Sequence, residues 1–219
     1  MGKGIEFIKG LEKIIICAQG PSWYQCPETI PQDCEIWGCN VIYRDHWVDR
    51  LFFGHDPRGH FIEDDANLFE NLNNLDIPVY TNGLFKPLKK NAMIPVIEIL
   101  SEFNTGFFLN VICYMVATAI LQKPKCIQFY GVDMRPDAGV ETYLNEKGAV
   151  EYWVGVALGQ GIKFENTLES YVLKIKQEGS FPGMRNKVER AGLLYQIPAA
   201  DRNMQTLREY VVVPDGIEE

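Results

Sequence analysis

Lys13-Ile14-Ile15-Ile16-Cys17-Ala18, followed directly by Gln19-Gly20-Pro21-Ser22, is the stretch on which the fold turns. A short, β-branched run of apolar residues marks a strand covered on both faces, as in a parallel sheet. Gly20-Pro21 then breaks the run and presents the hydroxyl of Ser22. Glycine lets a backbone approach a phosphate and proline fixes the turn. Backbone N–H groups and the serine hydroxyl would then meet anionic oxygens at a helix start. The expectation is a first buried strand carrying a phosphate loop at Gln19 to Ser22.

Working outward, Glu35 to Cys39, Arg50 to Gly54 and Ile77 to Tyr80 read as the next strands, with Cys126 to Val132 and Ile162 to Phe164 after them. Leu109 to Leu121 reads as a central helix stopped by Pro124, and Glu151 to Gln160 as a helix stopped by Gly161. Strands alternating with helical segments imply βαβ units. The fold class is therefore α/β: a Rossmann-like, mostly parallel sheet with helices on both faces. Residues 1–178 form this domain. Residues 179–219 form a small C-terminal extension, opening on the turn Ser180-Phe181-Pro182-Gly183 and holding two short polar helices at best.

Composition narrows the function classes. The 219 residues are 47% hydrophobic and 23% charged, as a globular chain is. A net charge of -8 opposes long-range attraction to a nucleic-acid backbone. The six cysteines, Cys17, Cys26, Cys34, Cys39, Cys113 and Cys126, form no CxxC and have no histidine pair at zinc spacing. Buried free thiols in a reducing compartment are the reading, and with no leader-like apolar segment at Met1 to Glu6 the expected location is cytoplasmic. Phe107 to Leu121, the longest apolar stretch, is too short to span a bilayer.

Ligands of open α/β sheets bind outside the carboxyl ends of the strands. The polar residues expected there are Gln19 to Ser22, Asn40, His55-Asp56 and Asp133. Asn40 offers a donor and an acceptor to a base or sugar edge, or closes an Asx turn. Asp133 would orient a ribose hydroxyl or cap the following loop. His55-Asp56 is a histidine pairing at a strand end, suited to acid–base work. Trp37 and Trp153 read as core, and His46 and His60 as surface residues.

Taken in order, several segments resemble the bacterial CMP-sialic-acid-dependent sialyltransferases of glycosyltransferase family 42. Ile14 to Ser22 resembles their opening strand and its Asn-Gly-Pro-Ser loop, and Gly38-Cys39-Asn40 is similar to their Arg-Cys-Asn. Phe53-Gly54-His55-Asp56-Pro57 falls where they have Phe-Tyr-Asn-Pro. Cys113-Tyr114-Met115 and Ile127 to Asp133 are similar to their Tyr-Met helix and Gly-Ile-Asp strand. The resemblance implies a glycosyltransferase using a nucleotide-sugar (CMP-sugar-like) donor, with no cofactor and no metal motif. By the same resemblance, Gln19, Gly20, Pro21 and Ser22 lie at the donor, Asn40 contacts the nucleotide, and Asp56 stands for another donor asparagine. Tyr143 matches one of two tyrosines holding the donor phosphate, and the second falls near Arg135. Asn110-Val111-Ile112 replaces the family's Thr-Ser-Gly. No histidine follows His60, so the family's catalytic histidine has no counterpart.

Sugar transfer needs a stabilised leaving phosphate, for which the Gly20 to Ser22 amides, Tyr143 and Arg135 are candidates. It also needs a base near the acceptor hydroxyl, for which His55, Asp56 and Glu151 are candidates. The acceptor (glycan, lipid, protein or modified DNA) is open, as is homo-oligomerisation. A fainter resemblance, to the MptE-like pterin pyrophosphokinases, shares the Gly-Pro-Ser loop and implies magnesium-dependent diphosphate transfer to a pterin-like alcohol. A non-catalytic nucleotide-binding module is the third reading.

Overall fold

Ile14, Ile16 and Cys17 have no solvent exposure at all, as expected of a strand in mid-sheet. They belong to β1 (Lys13–Cys17) in a computed structural model that describes residues 10–54, 56, 67–135 and 142–173, the last segment's residues 142–144 by backbone alone. Around β1 stand β2 (Cys34–Cys39), β3 (Arg50–Phe53), β4 (Val79–Thr81), β5 (Asn91–Met93), β6 (Cys126–Tyr130) and β7 (Lys163–Asn166). Among the described residues these strands form one sheet in the order β5-β4-β3-β2-β1-β6-β7. Every neighbouring pair is parallel, so the Rossmann-like expectation holds and "mostly" parallel becomes wholly parallel here.

Register sorts the side chains onto two faces. Ile15 pairs with Ile36 and Gly38 with Leu51, and Ile15, Ile36, Leu51, Phe53 and Val79 share one apolar cluster. Leu68 and Leu72 of α1 (Leu68–Asn74) cover that face. On the other face Trp37 stacks on Phe52 at 5.2 Å and Phe52 on Tyr80 at 4.4 Å. Beneath this stack Arg50 donates from Nε and Nη2 to the Glu35 carboxylate at 2.8 and 2.9 Å and from Nη1 to the Tyr80 hydroxyl at 2.8 Å. A buried charge survives there because each end of it is bonded.

Two helices precede β6: α2 (Val96–Phe103) and α3 (Val111–Gln122), and α3 packs across β1, β2 and β3. Ten of the twelve residues of α3 are buried, so it shows no polar face, in keeping with a helix enclosed by protein. The final helix, α4 (Thr142–Gly159), packs on α3 and β7.

The sequence reading is corrected in four places. Strand four begins at Val79 rather than Ile77, because Pro78 has no N–H to give a neighbour and offers only its carbonyl, to the Leu51 amide. Helix α4 begins at Thr142 rather than Glu151, since its polar opening and Gly148 hide the periodicity. β5, α1 and α2 were not anticipated. His46 is buried, at 8% exposure, not a surface residue: a turn at Ile42–Arg44 folds it inward, and its Nδ1 lies 2.7 Å from the Trp47 carbonyl. Trp37 and Trp153 are core residues, both fully buried. The C-terminal extension and His60 lie outside the described residues.

Candidate functional site

The strand order reverses at β1. The chain proceeds from β1 outward to β5 on one side, and returns at β6 on the other. Connections leaving β1 and β6 therefore diverge and open a crevice at their carboxyl ends, where doubly wound folds bind ligands. A cleft of about 610 Å³ lies there, lined by residues following β1, β2 and β6, by the start of α3, and by α4. The sequence-predicted Gln19, Gly20, Pro21, Asn40, Asn110, Asp133 and Arg135 all reach it.

The loop after β1 is tied to the loop after β6. Ser22 donates from its hydroxyl to one Asp133 oxygen at 2.5 Å, and from its backbone N–H to the other at 2.8 Å. The same hydroxyl accepts from the Gly131 N–H at 2.9 Å and from Thr167 at 3.1 Å. Gly20 donates to the Gly131 carbonyl at 2.8 Å. No side chain fits at Gly20 or Gly131. A Cβ on Gly20 would sit 2.4 Å from the Gly131 oxygen, and one on Gly131, whose φ is +65°, would sit 2.0 Å from the Ala18 oxygen.

That knot alters the anticipated phosphate chemistry. Gly20 and Ser22 already use their N–H groups within the protein, and Pro21 has none. The Ser22 side chain is fully buried, with its donor and lone pairs engaged. Asp133, 3% exposed, holds the loop in place with both carboxylate oxygens. The loop thus shapes the cleft wall, and the Gly20 and Ser22 amides are not the anion donors that the sequence suggested.

Asn40 has the opposite character. It follows β2 in the left-handed region at φ 54°, a conformation asparagine tolerates better than most residues. Its backbone N–H is satisfied by Phe52, whereas its side-chain Oδ1 is buried with no hydrogen-bond partner among the described residues. A buried amide oxygen without a donor is costly unless a ligand supplies one. Cys39 beside it is no nucleophile near neutral pH, because burial, with Cys17 nearby, pushes its thiol up to about 12.

Across the cleft stands the N-terminus of α3. Asn110 caps it, accepting from the Cys113 N–H at 3.1 Å. The N–H groups of Val111 and Ile112, in the first turn, have no acceptor within the helix, and both residues line the cleft. The Asn110 amide nitrogen donates to Glu146 on α4 at 3.2 Å. Glu146 also lines the cleft and was missed in the sequence, where α4 was started at Glu151.

Of the proposed bases, the two that are described do not line the cleft. His55 lies outside the described residues. Asp56 is exposed and not among the cleft-lining residues. Glu151 likewise does not line the cleft: it pairs with Lys147 one turn earlier, at 2.5 Å. Tyr143 falls in the first turn of α4, described by backbone alone. Among the described residues no three His, Cys, Asp or Glu side chains converge as metal ligands do, and no helix is long and apolar enough to cross a membrane.

Fold and cleft together define a doubly wound parallel α/β protein with a cleft at its strand-order reversal. Among solved structures the chain is similar to the sialyltransferase CstII from Campylobacter jejuni in complex with CMP-3FNeuAc, at 16% identity and a TM-score of 0.49, over 78% of this chain and 93% of that one. It is also similar to CstII in complex with cytidine-5'-monophosphate, at 17% identity and a TM-score of 0.44, over 71% of this chain and 79% of that one. No protein-family model matches the chain. No curated protein matches it either.

Proposed function

We propose that this chain binds a cytidine-nucleotide-linked sugar in the cleft and transfers the sugar to an acceptor hydroxyl. The observation that carries the reading is the Asn40 amide oxygen, buried at the cleft without a donor. The exocyclic amine of cytosine, or a ribose hydroxyl, is a donor of the kind it lacks. The first-turn N–H groups of α3, which have no acceptor within the helix, and the guanidinium of Arg135 would then bind the donor phosphate, in place of the Gly20 to Ser22 amides. The ordered resemblance of Ile14–Ser22, Asn40 and Ile127–Asp133 to family 42 sialyltransferases supports a CMP-type donor.

Calorimetry with CMP tests this. Asn40→Gly removes the amide while tolerating the positive φ, so that no new backbone strain enters. It should weaken CMP binding by about 1–3 kcal/mol. Unchanged affinity would sink the Asn40 assignment, and no measurable CMP binding by the wild type would sink the donor reading.

A further inference from the structure

We propose that Glu146 is the general base of this cleft, the group that takes the proton from the attacking acceptor hydroxyl; the assignment rests on the sugar-transfer reading above. Two carboxylates line the cleft among the described residues, Asp133 and Glu146. Both oxygens of Asp133 are held by Ser22 and its side chain is closed off from solvent. The Cys39 thiol, held protonated by burial, is no proton acceptor near neutrality, and Arg135 is a cation throughout. Glu151, on the same helix, is engaged with Lys147 and does not line the cleft.

Glu146 differs from all of these. It is half-buried at the cleft, and one oxygen, Oε2, accepts from the Asn110 amide at 3.2 Å. Its other oxygen, Oε1, accepts from no described residue. Asn110 is itself fixed, because its Oδ1 caps α3. A rigid helix start therefore orients the carboxylate and leaves one oxygen open to a substrate, the orienter–base arrangement that proton abstraction needs. In the step, the acceptor oxygen bonds to the anomeric carbon while its proton passes to Glu146 Oε1. The bond from that carbon to the donor phosphate oxygen breaks, and CMP leaves with the electron pair. The proton on Glu146 then returns to water.

The test uses the full chain, with CMP-N-acetylneuraminic acid as donor and water as acceptor, counting CMP released, alongside calorimetry with CMP. In Glu146→Gln the side-chain oxygen still accepts from Asn110, so cleft and cap persist while the base is gone. The expected result is a fall of about 100-fold or more in CMP release, with CMP affinity within threefold of wild type. Release within threefold of wild type, or parallel loss of CMP affinity, overturns the assignment of Glu146 and leaves the donor reading standing. A wild type that binds CMP but releases none from the donor overturns the base and favours a binding module; a wild type that binds no CMP overturns the sugar-transfer reading itself. Should Glu146→Gln not fold, Glu146→Ala in formate decides: recovery of CMP release supports the base, and no recovery overturns it.

Discussion

The Asp133 carboxyl group is buried at 3% exposure, which a protein tolerates only where it is well bonded. Ser22 supplies both bonds, one from its N–H and one from its hydroxyl. Asp133→Ala would leave two buried donors on Ser22 without an acceptor. The expected loss is about 3 kcal/mol of stability, read from the urea midpoint at constant m-value. Asp133→Asn retains one acceptor oxygen and should lose less. If both variants matched the wild type, the knot would not be holding the loop. The glycines bear on the same point, since the approach of Gly131 to Ala18 admits no Cβ.

At the scale of elements, α3 joins core and cleft. Its buried surface fixes it across β1, β2 and β3, while its N-terminus faces the site. Asn110 performs two tasks there: it caps the helix and it holds Glu146. These separate by mutation. Asn110→Ala should lose about 1 kcal/mol of stability through the cap. Asn110→Ser, itself a strong cap, should recover most of that stability without restoring the link to Glu146. Equal stability of all three proteins in denaturant titrations would show that the cap contributes nothing.

Over the whole molecule, the buried acids of the core set a pH limit. All six cysteines are free, and Cys17, Cys26, Cys39, Cys113 and Cys126 are buried. Burial pushes Cys39 up to about 12, and it does the same to the Tyr80 hydroxyl despite the opposing pull of Arg50. Both groups are neutral when protonated, so a raised folded pKa means that the unfolded chain ionises first. Their contribution is fully present below the thiol's ordinary range, near pH 8.5, and is lost as pH climbs toward the folded values. The loss reaches about 1.4 kcal/mol per pH unit for each group that ionises only in the unfolded chain. Urea midpoints should fall steadily from pH 8.5 to 10.5, more steeply once tyrosine begins to titrate. A flat profile across that interval would contradict the burial of these groups.

The sequence by itself determined the first strand, the breaker after it, the parallel α/β class and the apolar helix before β6. Each is written locally, in uninterrupted β-branched or apolar runs ended by glycine, proline or a polar residue. The apolar spacing of Val96, Ile99, Leu100 and Phe103 was equally legible and marks α2, although the reading passed over it. β5 was not legible, because three residues, Asn91–Met93, become a strand only by pairing with β4. Seven of the cleft's sixteen lining residues were foreseen as site residues, since residues after parallel strands converge by topology. Their roles were not. Whether the loop N–H groups were available depended on Asp133, 111 residues beyond Ser22, and the candidate base became visible only when Glu146 met Asn110 across 36 residues. Only the tertiary structure decided those pairings, because a hydrogen bond between distant residues leaves no trace in the local pattern of either.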